Sequence, residues 1–347
     1  MGMRYPRNGD HDSQMTTALE LLAAFVLIIG GAIGFTNAVE WLGQRLNLGE
    51  GAVGATLAAV GTALPESVIP IVALLSGGGE ESVDIAIGAI IGAPFLLGTL
   101  AMLLVVGSAH VFKARREQGT DIVGDERAIR RDLTWFLALM PVAIVLGVIG
   151  APDAVRFAGA ALLVVAYGVY VRRTVTKGGD AGDAEELEPL FFDTSRADPP
   201  STFQMVAQFV VSLAAIIGGA ELFVTGIEHI AEAAGVSALV LSLVLAPLAT
   251  EMPEKANSVL WVRRGKDALA LGNITGAMTF QASVPVALGL VFTSWELDKH
   301  AVTAAVIGLL GGALARWAIP RRHVGLVPVA VWGTLFCGFV AYAVATG

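Results

Sequence analysis

Two short stretches bring carboxylates and hydroxyls into runs that are otherwise apolar: Gly61-Thr62-Ala63-Leu64-Pro65-Glu66 and Ala249-Thr250-Glu251-Met252-Pro253-Glu254. On a helix Thr62 and Glu66 share a face, as do Thr250 and Glu254, because each pair is four residues apart. Pro65 has no N–H for the carbonyl of Gly61, and Pro253 has none for that of Ala249. A carbonyl freed at membrane depth needs a partner, and a cation or a water can serve. Each stretch thus offers a carboxylate, a hydroxyl and loose carbonyl oxygens. Such hard donors suit Na⁺, Ca²⁺, Mn²⁺ or a proton rather than soft metals. The plainer readings are prolines that only kink their helices and a static buried pair of acids. Ionisable groups at that depth are costly, and by default they mark function.

The surroundings of these stretches set the class. The chain has 347 residues, 55% hydrophobic and 15% charged, with a mean hydropathy of +0.71. Soluble domains carry about 25% charged residues, so the composition is that of an all-α polytopic membrane protein. The net charge of −8 sits in polar segments such as Asp180 to Asp193, and no basic patch invites nucleic acid. The expected partners are the lipid bilayer and inorganic cations, with no cofactor, and nothing in the sequence sets an oligomeric state. A single cysteine, Cys337, excludes an intrachain disulfide and a Cys-based metal site. The five histidines fall in loops or at helix ends, not in the apolar core.

Ten apolar runs have the length of bilayer-spanning helices, at about 16–38, 51–76, 83–108, 132–150, 154–172, 204–226, 236–261, 267–293, 300–318 and 324–346. Residues 1–15 read as a disordered arm, 16–172 as a first five-helix unit, 173–203 as a mobile acidic cytoplasmic linker, and 204–347 as a second unit. With the N-terminus outside, 17 Lys and Arg residues fall on the cytoplasmic side and four on the other. That bias puts both termini outside, in what is expected to be the plasma (inner) membrane.

The two units are repeats. Ile28-Ile29-Gly30-Gly31-Ala32 recurs as Ile216-Ile217-Gly218-Gly219-Ala220, and Glu66 and Glu254 each follow 38 residues after the first isoleucine. The match continues from Asp84–Ala93 to Ala268–Ala277. Five helices is an odd number, so the second unit is expected to be inserted upside down. Inverted repeats with interrupted helices at matching positions point to a transporter with a midplane site.

The paired Thr-x-x-Pro-Glu, each followed by a helix with Gly-x-x-x-Gly-Ala, resembles the calcium/cation antiporter superfamily, which includes sodium/calcium exchangers. Repeats of that superfamily read roughly G-T-S-L-P-E, then G-N-x-x-G-S-N-x-x-N or D. The resemblance implies a ten-helix fold with alternating access and a central site where Glu66 and Glu254 bind Ca²⁺, exchanged for Na⁺ or H⁺. It implies Thr62 and Thr250 as further ligands, with Ala59 and Pro247 as carbonyl donors. The chain departs from the pattern at several places. Ala63 and Glu251 replace the motif serine, Ala93 and Ala277 replace the later serine, and Leu97 and Gln281 stand at the final Asn or Asp. Glu251 becomes a third carboxylate, Gln281 can still offer a side-chain oxygen, and Asn273 fits the first Asn of the pattern. Thr275 and Thr279 read as helix-packing hydroxyls.

Lys255, beside Glu254, reads either as a structural ion pair or as a group that tunes the carboxylates or substitutes for a bound cation. The functional expectation is a secondary antiporter exchanging a metal cation, Ca²⁺ first, for Na⁺ or H⁺. The smaller donor set keeps proton-coupled exchange of Mn²⁺, Mg²⁺ or Na⁺ as an alternative. An intramembrane enzyme is the reading from a different class, and the inverted symmetry argues against it.

Overall fold

The computed structural model describes residues 8–45, 66–77, 79–177, 188–193 and 200–346. Helices account for nearly all of it, and the described residues contain no strand. The order is α1 (Asn8–Arg45), α2 (Glu66–Leu75), α3 (Glu80–Leu96), α4 (Met102–Val111), α5 (Glu126–Val148), α6 (Asp153–Lys177), α7 (Thr202–Ala234), α8 (Ala238–Arg263), α9 (Asp267–Gln281), α10 (Val284–Phe292), α11 (Lys299–Ala318) and α12 (Leu326–Thr346). Eight helical stretches among the described residues are long and apolar enough to cross a membrane, with shorter apolar pieces at Glu66–Leu75 and Ala238–Glu251. Apolar side chains such as Leu22, Val26, Val164, Leu310 and Val327 stay exposed on the outside, as a lipid-facing surface requires.

The described helices overlap the expected runs, of which 51–65 lies outside the described residues, and two features differ from expectation. The first helix begins at Asn8, so the described part of the expected arm, residues 8–15, is helical. The expected linker is also anchored rather than loose where it is described. The carbonyl of Glu188 accepts hydrogen bonds from Asn37 Nδ2 (3.1 Å) and Trp41 Nε1 (2.9 Å). Leu190 is buried against Trp41 and Met205.

The repeats pack through equivalent glycines. A Cβ on Gly31 would lie 2.8 Å from Ile216 Cγ1, and one on Gly219 would lie 2.8 Å from Ile28 Cγ1. Contacts from Gly226 against Leu21 to Gln208 against Asn37 extend this pairing, so α1 and α7 run antiparallel. Equivalent helices in opposite directions are what inverted repeats mean. Beside them, α3 runs parallel to α8, with Gly88 against Leu239 and Gly92 against Leu243. Small residues permit such close backbone approach, which drives helix association in lipid.

Helix interruptions also match. A π turn at Leu97–Ala101 separates α3 from α4, and a break at Ala282–Ser283 separates α9 from α10. Leu97 and Gln281 are equivalent positions, so both repeats lose regular helix at the same place. The proline-bearing α8, by contrast, continues as helix through Pro247 and Pro253.

Candidate functional site

Glu66 opens the described part of α2, and Glu251 and Glu254 lie one turn apart on α8. Each offers a carboxylate oxygen within 4.8 Å of the others. Glu251 is fully buried, Glu66 is 7% exposed, and the side chain of Glu254 is 17% exposed. Among the described residues, Glu66 Oε2 and both oxygens of Glu251 have no hydrogen-bond donor. Three crowded acids with unused lone pairs make a strong acceptor site for a cation.

Lys255 enters the same cluster. Its Nζ lies 2.8 Å from Glu251 Oε2 and 3.6 Å from Glu254 Oε2, with the Lys255 and Glu251 side chains both fully buried. The closer contact is an ion pair by distance, while its angles miss hydrogen-bond geometry. The lysine therefore does not snorkel out of the apolar interior. It adds one positive charge to three negative ones.

A narrow cleft beside the acids is lined by Glu66, Ile69, Ala89, Ala93, Ala246, Pro247 and Thr250. Thr250 Oγ1 donates to the carbonyl of Ala246 (3.2 Å), which leaves its lone pairs for a ligand. Pro247 supplies no N–H to the carbonyl of Leu243, and Gly92 packs against that carbonyl without a Cβ. Ala93 presents only a methyl where a serine would bring a hydroxyl. Asn273 sits on α9 with Nδ2 3.4 Å from Ser258 Oγ, which in turn donates to the Glu254 carbonyl (3.0 Å).

Of the expected set, Glu66, Glu251, Glu254, Thr250, Pro247, Asn273 and Lys255 converge on this region. Gln281 is buried with an unpartnered amide nitrogen among the described residues, but it does not line the cleft. Thr62 and Ala59 lie outside the described residues. Thr275 and Thr279 pack between helices: Thr275 Oγ1 donates to Asp132 Oδ2 (3.0 Å) and Thr279 Oγ1 to the Asp132 carbonyl (3.0 Å).

Sequence reasoning missed Asp132, which is 3% exposed and also accepts from Tyr170 (3.1 Å) and Arg131. It also missed the buried pair Arg116–Asp267, where the two terminal guanidinium nitrogens meet the carboxylate at 2.7 and 2.8 Å. Arg116 donates further to the carbonyls of Gly119, Asp121 and Val262. The one available signal was an acid or base at the edge of an apolar run.

Multiple spans, antiparallel repeat helices and a buried cluster of oxygen donors define a multi-pass membrane transporter rather than an enzyme. The chain belongs to the sodium/calcium exchanger protein family, whose model matches residues 17–175 and 205–345. It is 25% identical over 307 residues to the putative antiporter CaxA of Alkalimonas amylolytica, covering 87% of this chain and 88% of that one. It is also 25% identical over 293 residues to the inner membrane protein YrbG of Escherichia coli, covering 83% of each. Its fold resembles the H⁺/Ca²⁺ exchanger CAX with a TM-score of 0.74 at 19% identity, covering 95% of this chain and 82% of the other. It resembles the sodium-calcium exchanger NCX_Mj with a TM-score of 0.59 at 21% identity, covering 96% and 99%.

Proposed function

We propose that the chain is a secondary antiporter that exchanges a metal cation, Ca²⁺ first, for Na⁺ or H⁺ by alternating access. The observation that carries this reading is the meeting of Glu66 with Glu254, its equivalent in the antiparallel second repeat, and with Glu251 one turn before Glu254. Glu66 and Glu254 bind the cation, Glu251 adds charge, and Thr250, the Pro247 carbonyl and Asn273 complete the described donors. Thr62, the Ala59 carbonyl and Gln281 are further proposed ligands. No resident cofactor takes part.

Ten spanning helices with both termini outside, in the plasma (inner) membrane, are the proposed topology. Its support is that the basic loops meet at one end of the bundle. Arg116 binds the 262–267 turn, and Ile122 N bonds the Arg322 carbonyl (2.8 Å). The 173–203 segment is proposed to lie on that same cytoplasmic side.

Proteoliposomes loaded with Na⁺ or held under a proton gradient should accumulate ⁴⁵Ca²⁺, and Glu66→Gln or Glu254→Gln should abolish the uptake. Uptake indifferent to both gradients and to both substitutions overturns the reading. Proton-coupled exchange of Mn²⁺ or Mg²⁺ is the second reading, favoured by the methyl of Ala93 in the cleft. Ca²⁺ takes six to eight oxygens, whereas Mg²⁺ keeps several of its waters. Competition of ⁴⁵Ca²⁺ uptake by each ion separates the two.

A further inference from the structure

We propose that the Lys255 ammonium is a tethered cation that fills one cation position of the carboxylate site, so that Glu251 is neutralised from within and only Glu66 and Glu254 are left for exchanged ions. The inference rests on the reading of this cluster as the transport site.

The geometry separates this role from that of an ordinary structural ion pair. A pair that serves packing alone has its remaining lone pairs and protons satisfied by neighbours. Here the other oxygen of Glu251 meets no donor among the described residues, and Nζ reaches a second acid, Glu254, at 3.6 Å. The ammonium is thus held by electrostatics among the acids, as a bound ion would be. Its stem starts one turn after Glu251 on the same helix, with the acid N-terminal to the base, the better order for such a pair. Since both residues ride on α8, the ammonium stays with Glu251 whichever side of the membrane the site faces. Glu66 comes from α2 in the other repeat and has no such companion among the described residues.

The charge count then fixes a stoichiometry class. Three ionised carboxylates and one ammonium sum to −2, which one divalent ion or two monovalent ions balance. Exchange of one divalent cation for two monovalent ones moves no net charge, so transport by the native chain is electroneutral. Without Lys255 the same acids sum to −3, and a further monovalent ion is needed beside Glu251.

Equilibrium dialysis of ²²Na⁺ against the purified full-length chain at alkaline pH, where protons compete least, tests this. Lys255→Met should bind one more Na⁺ than the native chain, and Lys255→Met with Glu251→Gln should return to the native count. Equal counts in Lys255→Met and the native chain overturn the proposal. So does a double variant that binds no cation, because Lys255 would then do more than neutralise Glu251. If Lys255→Met is too unstable for dialysis, its melting temperature in NaCl against choline chloride gives the answer. A Na⁺-dependent rise larger than in the native chain supports the tethered cation, and an equal response overturns it. An extra Na⁺ on a chain that moves no cation in proteoliposomes upholds the charge assignment and defeats only the transport reading.

Discussion

Gly31 lies against Ile216, and the equivalent glycine of the second repeat, Gly219, lies against Ile28, the equivalent isoleucine. The relation is reciprocal, as the contacts across a two-fold axis must be. It also divides each Gly-Gly pair into a tight and an open member. A Cβ on Gly31 would be 2.9 Å from the Ser212 carbonyl oxygen as well as touching Ile216, while Gly30 and Gly218 have open space around theirs. Gly31→Ala and Gly219→Ala should each destabilise the protein by about 1–3 kcal/mol through overpacking. Gly30→Ala and Gly218→Ala should be neutral or stabilising by about 0.5–1 kcal/mol, because alanine is the better helix former. Melting curves in one detergent compare the four. Equal effects within each pair would show that α1 and α7 do not meet at Gly31 and Gly219.

Ala93 lines the cleft that Glu66 and Thr250 share. Ala93→Ser places a hydroxyl there without adding much volume. One extra oxygen ligand is expected to tighten Ca²⁺ binding by about five-fold, the equivalent of roughly 1 kcal/mol for a polar contact. Half-saturation of ⁴⁵Ca²⁺ uptake measures it. The same substitution at Ala341, which is exposed on α12, should leave that constant unchanged, and equal shifts at both positions would remove Ala93 from the site.

Much of this arrangement could be read in the sequence, for reasons that differ from residue to residue. Lipid imposes long apolar runs, so the starts of α3, α9 and α11 are visible within three residues. The repeat register carried Glu66 to Glu254 and Gly31 to Gly219 without a gap. Three features were hidden, each for a different physical reason. Lys255 and Glu254 are neighbours pointing about 100° apart on a helix, and sequence could not tell which way the longer side chain turned. The breaks at 97–101 and 282–283 contain no shared motif and show only as backbone geometry. Arg116–Asp267 and Asp132–Thr275 join positions more than 140 residues apart. The Thr62 and Ala59 expectations fall outside the described residues.

Arg116 and Asp267 form a fully buried, two-pronged ion pair at the loop end of α9, and Asp267 Oδ2 also accepts from Val123 N (2.8 Å). Removing one partner leaves an uncompensated buried charge. Asp267→Ala and Arg116→Ala should therefore each cost about 3–5 kcal/mol, while the double variant costs much less than their sum. Chemical denaturation in mixed micelles gives the cycle. Additive costs would mean that the two side chains are not coupled.

The anchored piece of the 173–203 segment makes the final case. The Glu188 carbonyl takes two side-chain donors from α1, Asn37 and Trp41, while Gln208 on α7 accepts from Phe192 N (2.9 Å) and donates to Gly34 O and Asn37 Oδ1 (2.8 Å each). One short piece of chain thus ties together the ends of the two equivalent helices. Trp41→Phe keeps an aromatic ring beside Leu190 and removes only the indole N–H, at an expected cost of about 1 kcal/mol. Gln208→Ala removes three bonds at once and leaves the Asn37 amide oxygen without that donor, so it should cost more. Hydrogen exchange over 188–193 should accelerate by about five-fold in Trp41→Phe and further in Gln208→Ala, with α11 and α12 unchanged. Unchanged exchange in both variants would mean that the segment is held by Leu190 burial alone, and then Leu190→Ala would be the substitution that frees it.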